Sequence, residues 1–172
     1  MNYLKIKTLI GNLHLYADDN FLYGVFFDTN HYLAKSLKPA KKQSNAILEE
    51  SAQQIQEYLI GERKGFDLPF KLDTSEFKTK VWNSLTKIPY GQVINYQEQA
   101  KKIKRPKAMR AVGSANGKNP LAIIIPCHRV VSKNGNLGGY SGGLRAKQFL
   151  LDLEQGKFAD IKDSLKSLIK KT

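Results

Sequence analysis

The sequence predicts an α+β protein, with a small antiparallel sheet and one helix in its N-terminal part and a mostly helical second part that holds a helix-turn-helix. Three observations carry this reading. Apolar and polar side chains alternate strand-fashion up to residue 27. From residue 44 onward the apolar residues recur at helical spacing instead. Of 28 basic and 15 acidic residues, residues 1–75 carry nine of each, so the whole net charge of +13 belongs to residues 76–172. The polar, turn-rich stretch 61–73 places a domain boundary near residue 75, between an N-terminal domain 1–75 and a C-terminal domain 76–172.

The elements follow in order. Residues 3–8 alternate isoleucine and tyrosine with lysines, and Gly11-Asn12 marks a turn. Leu13, Leu15 and Ala17 alternate with polar neighbours, Asp18-Asp19-Asn20 marks a second turn, and residues 21–27 form an apolar strand. The result is a three-stranded antiparallel meander. Residues 28–43, with Pro39 and several lysines, read as loop. Ser44 is positioned to cap a helix that runs to Ile60, where Gly61 stops it, with Ile47, Leu48, Ile55, Tyr58 and Leu59 on the buried face.

In the second part, a helix begins at Thr74 or Ser75 and runs to Leu85, turning Phe77, Val81, Trp82 and Leu85 inward. Pro89-Tyr90-Gly91 breaks it. Asn95 caps a short helix over 96–102, with Glu98 completing a capping box. Arg105-Pro106 separates this from a helix over 107–115, and the pair has helix-turn-helix proportions. The second helix carries Lys107 and Arg110 beside the small residues Ala111, Gly113, Ser114 and Ala115. Small side chains serve either a close approach to another surface or tight packing between helices. Residues 121–125 read as a buried strand, 135–143 as a glycine-rich loop and 143–154 as a helix. After residue 157, Ile161, Leu165, Leu168 and Ile169 line one face of a last short helix, which either packs back on the domain or frays.

Composition narrows the function. An apolar content of 41% supports a folded core. The lopsided positive charge makes a polyanion the expected partner of the second domain. Cys127 is the only cysteine, so an internal disulfide and a zinc site built of cysteines are excluded, and a reducing, cytoplasmic setting is expected. The N-terminal residues are too polar for a signal peptide, and no apolar run approaches a membrane span.

Chemistry concentrates after the apolar run, in Pro126-Cys127-His128-Arg129-Val130. A thiol becomes a nucleophile as thiolate, and an imidazole can take its proton directly or through one water. The imidazole in turn wants a carboxylate to fix its tautomer, for which Asp152 and Glu154 are the downstream candidates. The loop GNLGGYSGG offers backbone amides, with Tyr140 and Ser141 as pocket contacts. His14 and His31, near the strands, read as incidental.

These residues resemble the signature of the O6-alkylguanine-DNA alkyltransferases, the methylated-DNA–protein-cysteine methyltransferases. The likeness spans about residues 77–157. It includes Pro89-Tyr90-Gly91-Gln92-Val93, Tyr96-Gln97, Arg110-Ala111-Val112-Gly113, Asn119-Pro120 and Tyr140-Ser141-Gly142-Gly143-Leu144. It implies a ribonuclease H-like N-terminal unit and a monomeric repair protein that needs neither metal nor cofactor. Such a protein binds double-stranded DNA through the minor groove, flips the damaged base out, and transfers the O6-alkyl group of guanine irreversibly to its own cysteine, once per molecule. O4-methylthymine is a further candidate substrate.

By resemblance, Cys127 attacks the alkyl carbon, His128 acts as base through a water, and Glu154 holds the imidazole. Asn119 braces the turn, and Tyr96 protonates guanine N3. The Ser141 amide faces O6, and the carbonyls of Cys127 and Val130 accept from the exocyclic amine, with Tyr140 and Gly142 completing the pocket. Arg110 fills the gap in the stack, while Lys107, Ala111, Gly113, Ser114, Asn116 and Arg129 belong to the DNA-binding set. Two positions depart from the family's habit: Asn116 replaces a larger, more apolar residue facing the groove or the gap in the stack, and Ala122 replaces a frequent proline, which suggests a more open pocket wall. Two other readings stay in play, a non-catalytic binder of alkylated DNA and a cysteine hydrolase. Methyl transfer to Cys127 separates the first, and repeated turnover would mark the second.

Overall fold

The computed structural model describes residues 1–169, without the side chain of Ile169, so the end of the expected domain 76–172 lies outside the described residues. Strands β1 (Asn2–Thr8), β2 (Gly11–Ala17) and β3 (Leu22–Phe27) form the expected meander, with Tyr3 opposite Tyr16 and Leu15 opposite Val25. The sheet is mixed rather than purely antiparallel. A two-residue strand β4 (Lys41–Lys42) adds to the free edge of β1 in parallel, giving the order β3-β2-β1-β4. It lies in the stretch read as loop, which also holds a 3₁₀ helix over Asp28–Ser36. Neither has an apolar period long enough to register in sequence.

Strand β2 is central and buried on both faces. Leu13, Leu15 and Ala17 point into the main core. His14 on the other face is covered by His31 from the 3₁₀ helix, with the rings stacked at 3.7 Å. Helix α1 (Ala46–Leu59) packs on β1 and β2. Its cap is Asn45 rather than Ser44: the Asn45 side chain accepts from the Leu48 amide at 3.0 Å, so the helix starts one residue later than expected. Gly61, at φ +74, provides the left-handed residue that ends it. Leu48, Ile55, Tyr58 and Leu59 are buried as expected, and Ile47 is half-buried.

Helices α2 (Glu76–Leu85), α3 (Tyr96–Lys102) and α4 (Met109–Gly117) pack against one another. Ser75 caps α2, and Asn95 with Glu98 closes the capping box of α3, as the sequence indicates. Helix α4 begins two residues later than expected, because Lys107 belongs to a turn closed by the Ala108 amide on the Arg105 carbonyl. Trp82 Nε1 donates to the Ala115 carbonyl at 2.9 Å and fixes α4 on α2. A short parallel pair, β5 (Ile94–Asn95) with β6 (Val130–Val131), joins the start of α3 to the segment after the thiol.

Residues 121–126 are not a strand. They are a fully buried coil that touches the sheet at one bridge, Val25 with Leu121. The Ile125 amide closes back on the Leu121 carbonyl at 2.9 Å, and Ile123 adopts φ +73, a costly conformation for a β-branched residue. A buried apolar run carries no period that distinguishes strand from coil. Helix α5 (Leu144–Glu154) follows the glycine-rich loop, and α6 (Lys162–Ile169) ends the described chain. Of the apolar face expected on that last helix, Leu165 is buried, Ile161 and Leu168 are exposed, and the Ile169 side chain lies outside the described residues. The segment packs back through Lys166, which pairs with Glu62 at 2.6 Å.

Candidate active site

Asn119 builds the turn that carries the thiol. Its Oδ1 accepts from the Leu121 amide at 3.0 Å, while Nδ2 donates to the Ile125 carbonyl at 2.7 Å and to the Cys127 sulfur at 3.3 Å. One side chain thus spans both ends of the strained coil and touches the nucleophile. Cys127 opens a single 3₁₀ turn, Cys127–Arg129, and is 6% exposed. Burial pushes its thiol up, against the opposing pull of the Asn119 hydrogen bond and the Lys147 charge. At neutral pH the sulfur therefore rests protonated, and its attack requires a base.

His128 follows directly and is fully buried. Its Nε2 lies 2.5 Å from Glu154 Oε1, while Nδ1 has no partner among the described residues. The carboxylate accordingly fixes the tautomer with the proton on Nε2, and Nδ1 carries the free lone pair. Burial holds the imidazole below its usual range, against the pull of Glu154, so it stays neutral and able to accept a proton. Glu154 also accepts from Arg129 Nε at 2.9 Å, from the Gly91 amide at 2.9 Å, and from the Tyr58 hydroxyl. Burial would raise its carboxyl, but the His128, Arg129 and Tyr58 hydrogen bonds hold it at about 2.

The glycine-rich loop closes over this group. Phe27 of β3 packs edge-on against Tyr140 at 5.7 Å, and a Cβ on Gly142 would come within 2.6 Å of the Phe27 ring. The Thr29 hydroxyl donates to the Ser141 carbonyl. The Tyr140 hydroxyl and Ser141 Oγ are buried with no partner among the described residues. Tyr96, first residue of α3, meets the loop from the opposite side: a Cβ on Gly138 would lie 2.8 Å from its hydroxyl, so only glycine allows the approach. Burial and the nearby sulfur raise the Tyr96 phenol, which stays protonated.

Cys127, His128, Glu154, Asn119, Val130, Tyr140, Ser141 and Gly142 therefore sit in one connected group, with Tyr96 at its rim. On the outer face of α4, Arg110, Ala111 and Ser114 are exposed, with Lys107 just before the helix. A groove of about 540 Å³ runs between Tyr96, Met109, Arg110, Gly113 and Lys133. Two expected DNA-facing residues are placed elsewhere. Arg129 is buried, held by Glu154 and by the Ile88 carbonyl at 2.6 Å, because a guanidinium beside a buried carboxylate gains more from pairing than from reaching solvent. Asn116 is buried against Gln99, exchanging bonds of 2.7 and 3.2 Å, and so faces α3 and not the groove.

Two features escaped sequence reading. Lys147 is completely buried, its ammonium donating to the carbonyls of Val130 at 2.6 Å, Gly139 at 3.3 Å and Leu137. It ties the glycine-rich loop to β6. The signal was present: Lys147 falls on the same face of α5 as Leu150, Leu151 and Glu154, where a solvated lysine has no place. The backbone bond of Ala122 is the other. The Ala122 amide donates to the Val25 carbonyl at 3.0 Å, a bond that proline cannot make, so the departure ties the thiol segment to β3.

The chain matches known proteins over most of its length. Residues 76–156 match the family 6-O-methylguanine DNA methyltransferase, DNA binding domain, and residues 1–72 match its ribonuclease-like domain. The chain is 49% identical over 162 residues to a methylated-DNA–protein-cysteine methyltransferase of Methanosarcina acetivorans, covering 90% of this chain and 98% of the relative. A Haemophilus influenzae relative of the same name is 37% identical over 159 residues, covering 92% and 88%. The crystal structure of Mycobacterium tuberculosis OGT in complex with DNA superposes with a TM-score of 0.82 at 35% identity, covering 91% of this chain and 94% of that one. The chain belongs to the O6-methylguanine-DNA methyltransferase family, the proteins that reverse DNA alkylation directly by taking the alkyl group onto a cysteine of their own.

Proposed function

We propose that Cys127 is the acceptor, serving O6-alkylguanine flipped from the minor groove of duplex DNA by a monomer of this chain. The observation that carries the reading is the fixed tautomer of His128, with Nε2 committed to Glu154 and Nδ1 free beside the thiol turn. A water between Nδ1 and the sulfur takes the thiol proton to the imidazole. The thiolate attacks the alkyl carbon, a carbon–sulfur bond forms, and the bond to O6 breaks with its electron pair leaving into the guanine ring. Tyr96 gives its phenolic proton to N3 and recovers one through solvent from the imidazolium, so the thiol proton ends on guanine. The Ser141 amide meets O6. The carbonyls of Cys127 and Val130 each already accept one donor, from the Val130 amide and from Lys147, and each keeps a second lone pair for the exocyclic amine.

Exposed α4 residues enter the groove, which is only about 6 Å wide, and their small side chains suit that width. Arg110 fills the space left in the stack, and Lys107 meets phosphate. The thioether formed is not cleaved, so each molecule acts once. Mixing the protein with O6-methylguanine duplex is expected to leave one methyl on the peptide containing Cys127 and to stop at one equivalent. Cys127→Ser is expected to bind the duplex and transfer nothing. Product beyond one equivalent, or transfer by C127S at the wild-type rate, overturns the reading.

A further inference from the structure

Among the buried titratable groups of the described residues, Tyr58 takes no part in the proposed chemistry yet touches it. Tyr58 lies on α1, 96 residues from Glu154 in sequence, and is fully buried. Its ring is stacked on Phe66 at 5.0 Å and set edge-on to Tyr90 at 5.9 Å, which leaves the hydroxyl a single direction. It donates to Glu154 Oε1, the same oxygen that receives His128 Nε2, and takes a weak bond from Arg129 at 3.5 Å. A phenol buried in an apolar stack needs a partner, and this one has found the carboxylate that orients the base.

We infer that Tyr58 is a positioning residue of the transfer reaction: through its hydroxyl the N-terminal part of the chain sets how strongly Glu154 draws on His128. The inference rests on the His128–Glu154 relay proposed above. A carboxylate oxygen divides its charge among its donors. When the phenol is present, less of that charge is available to His128, and the imidazole stays neutral, as a base must. Removing the hydroxyl concentrates the charge on the Nε2 bond and favours the imidazolium. The other groups that face His128 are Cys127 and Arg129 from its own turn, Lys147 from α5, Tyr140 from the glycine-rich loop, and Tyr90, which stands behind Arg129. None of these supplies a hydroxyl to Glu154.

The test is the pH dependence of single-turnover methyl transfer from an O6-methylguanine duplex, together with NMR titration of His128 in the free protein. Tyr58→Phe keeps the ring and the packing. It is expected to move the acidic limb of the rate, and the His128 titration, upward by about half a pH unit or more. Tyr90→Phe removes a neighbouring hydroxyl that does not donate to Glu154, and both curves are expected to stay in place. Glu154→Gln is expected to move them downward. If Y58F superposes on wild type while E154Q shifts, the role of Tyr58 is refuted and the relay stands. If E154Q leaves both curves unmoved, the relay itself fails. Should Y58F not fold, 3-fluorotyrosine introduced at position 58 keeps the hydroxyl as a stronger donor, and a downward shift is then expected. No shift with that residue overturns the inference.

Discussion

Replacing Glu154 with glutamine keeps the shape of the side chain and removes its charge, and the effect on stability can be worked out in two ways. The first is electrostatic. The folded protein holds this carboxyl at about 2 instead of its ordinary 4.5, a difference of about 2.5, which at about 1.4 kcal/mol per pKa unit is roughly 3–4 kcal/mol. The second is structural. Without the carboxylate, the buried Arg129 guanidinium loses its counter-charge and keeps only neutral acceptors, the Ile88 carbonyl, a weak bond to Tyr58 and one amide oxygen at position 154, and breaking a buried ion pair costs about 3–5 kcal/mol.

The two agree, so E154Q is expected to lose ~3 kcal/mol in urea unfolding and roughly 6–12 °C in Tm. The pH dependence has a definite sign. The folded pKa lies below the unfolded one, so the contribution is complete above about pH 4.5 and drains away as pH falls toward about 2. The gap between wild type and E154Q should therefore be wide at pH 7 and close in acid. A loss below about 1 kcal/mol at pH 7, or a gap that does not narrow on acidification, would refute the assignment of Glu154 as the charged hub of the site.

Two further outcomes check other parts of the structure. Arg110→Ala should slow repair of duplex DNA more than reaction with the free alkylated base, because the side chain lies on the exposed face of α4, outside the thiol pocket; equal slowing of both would place its effect in the chemistry. Gly142→Ala forces a Cβ to within 2.6–2.9 Å of the Phe27 ring, so it should destabilise the fold by about 1–3 kcal/mol and slow transfer by displacing Tyr140 and Ser141; calorimetry and single-turnover rates read the two effects, and an unchanged melting temperature would contradict the close packing.

Much of this protein was legible in its residues taken in order. Period-two alternation located the three long strands, and capping chemistry located α2 and α3, because both signals are local. The charge imbalance and the lone thiol beside an imidazole singled out the second part as the chemical one. Glu154 was within reach too, as one of two carboxylates on the helix after the glycine-rich loop. What misled was the polar residue whose partner is distant in sequence. Arg129 and Asn116 both read as DNA-facing residues, since a cation or amide near a basic helix looks solvated until its buried partner is seen.

The sequence by itself determined the secondary elements with strong local periods, the lone thiol with its neighbouring imidazole, and the concentration of positive charge in the second part. Those properties depend on a residue and its near neighbours. Tertiary structure alone decided that Lys147 stitches the loop to β6 and that 121–126 is a strained coil and not a strand. It also decided that Tyr58 and Phe27, from the N-terminal part, reach the site of the second. The physical reason is that hydrogen bonds and packing between distant segments form only when folding brings them together, and no local pattern records which partner a buried polar group will find.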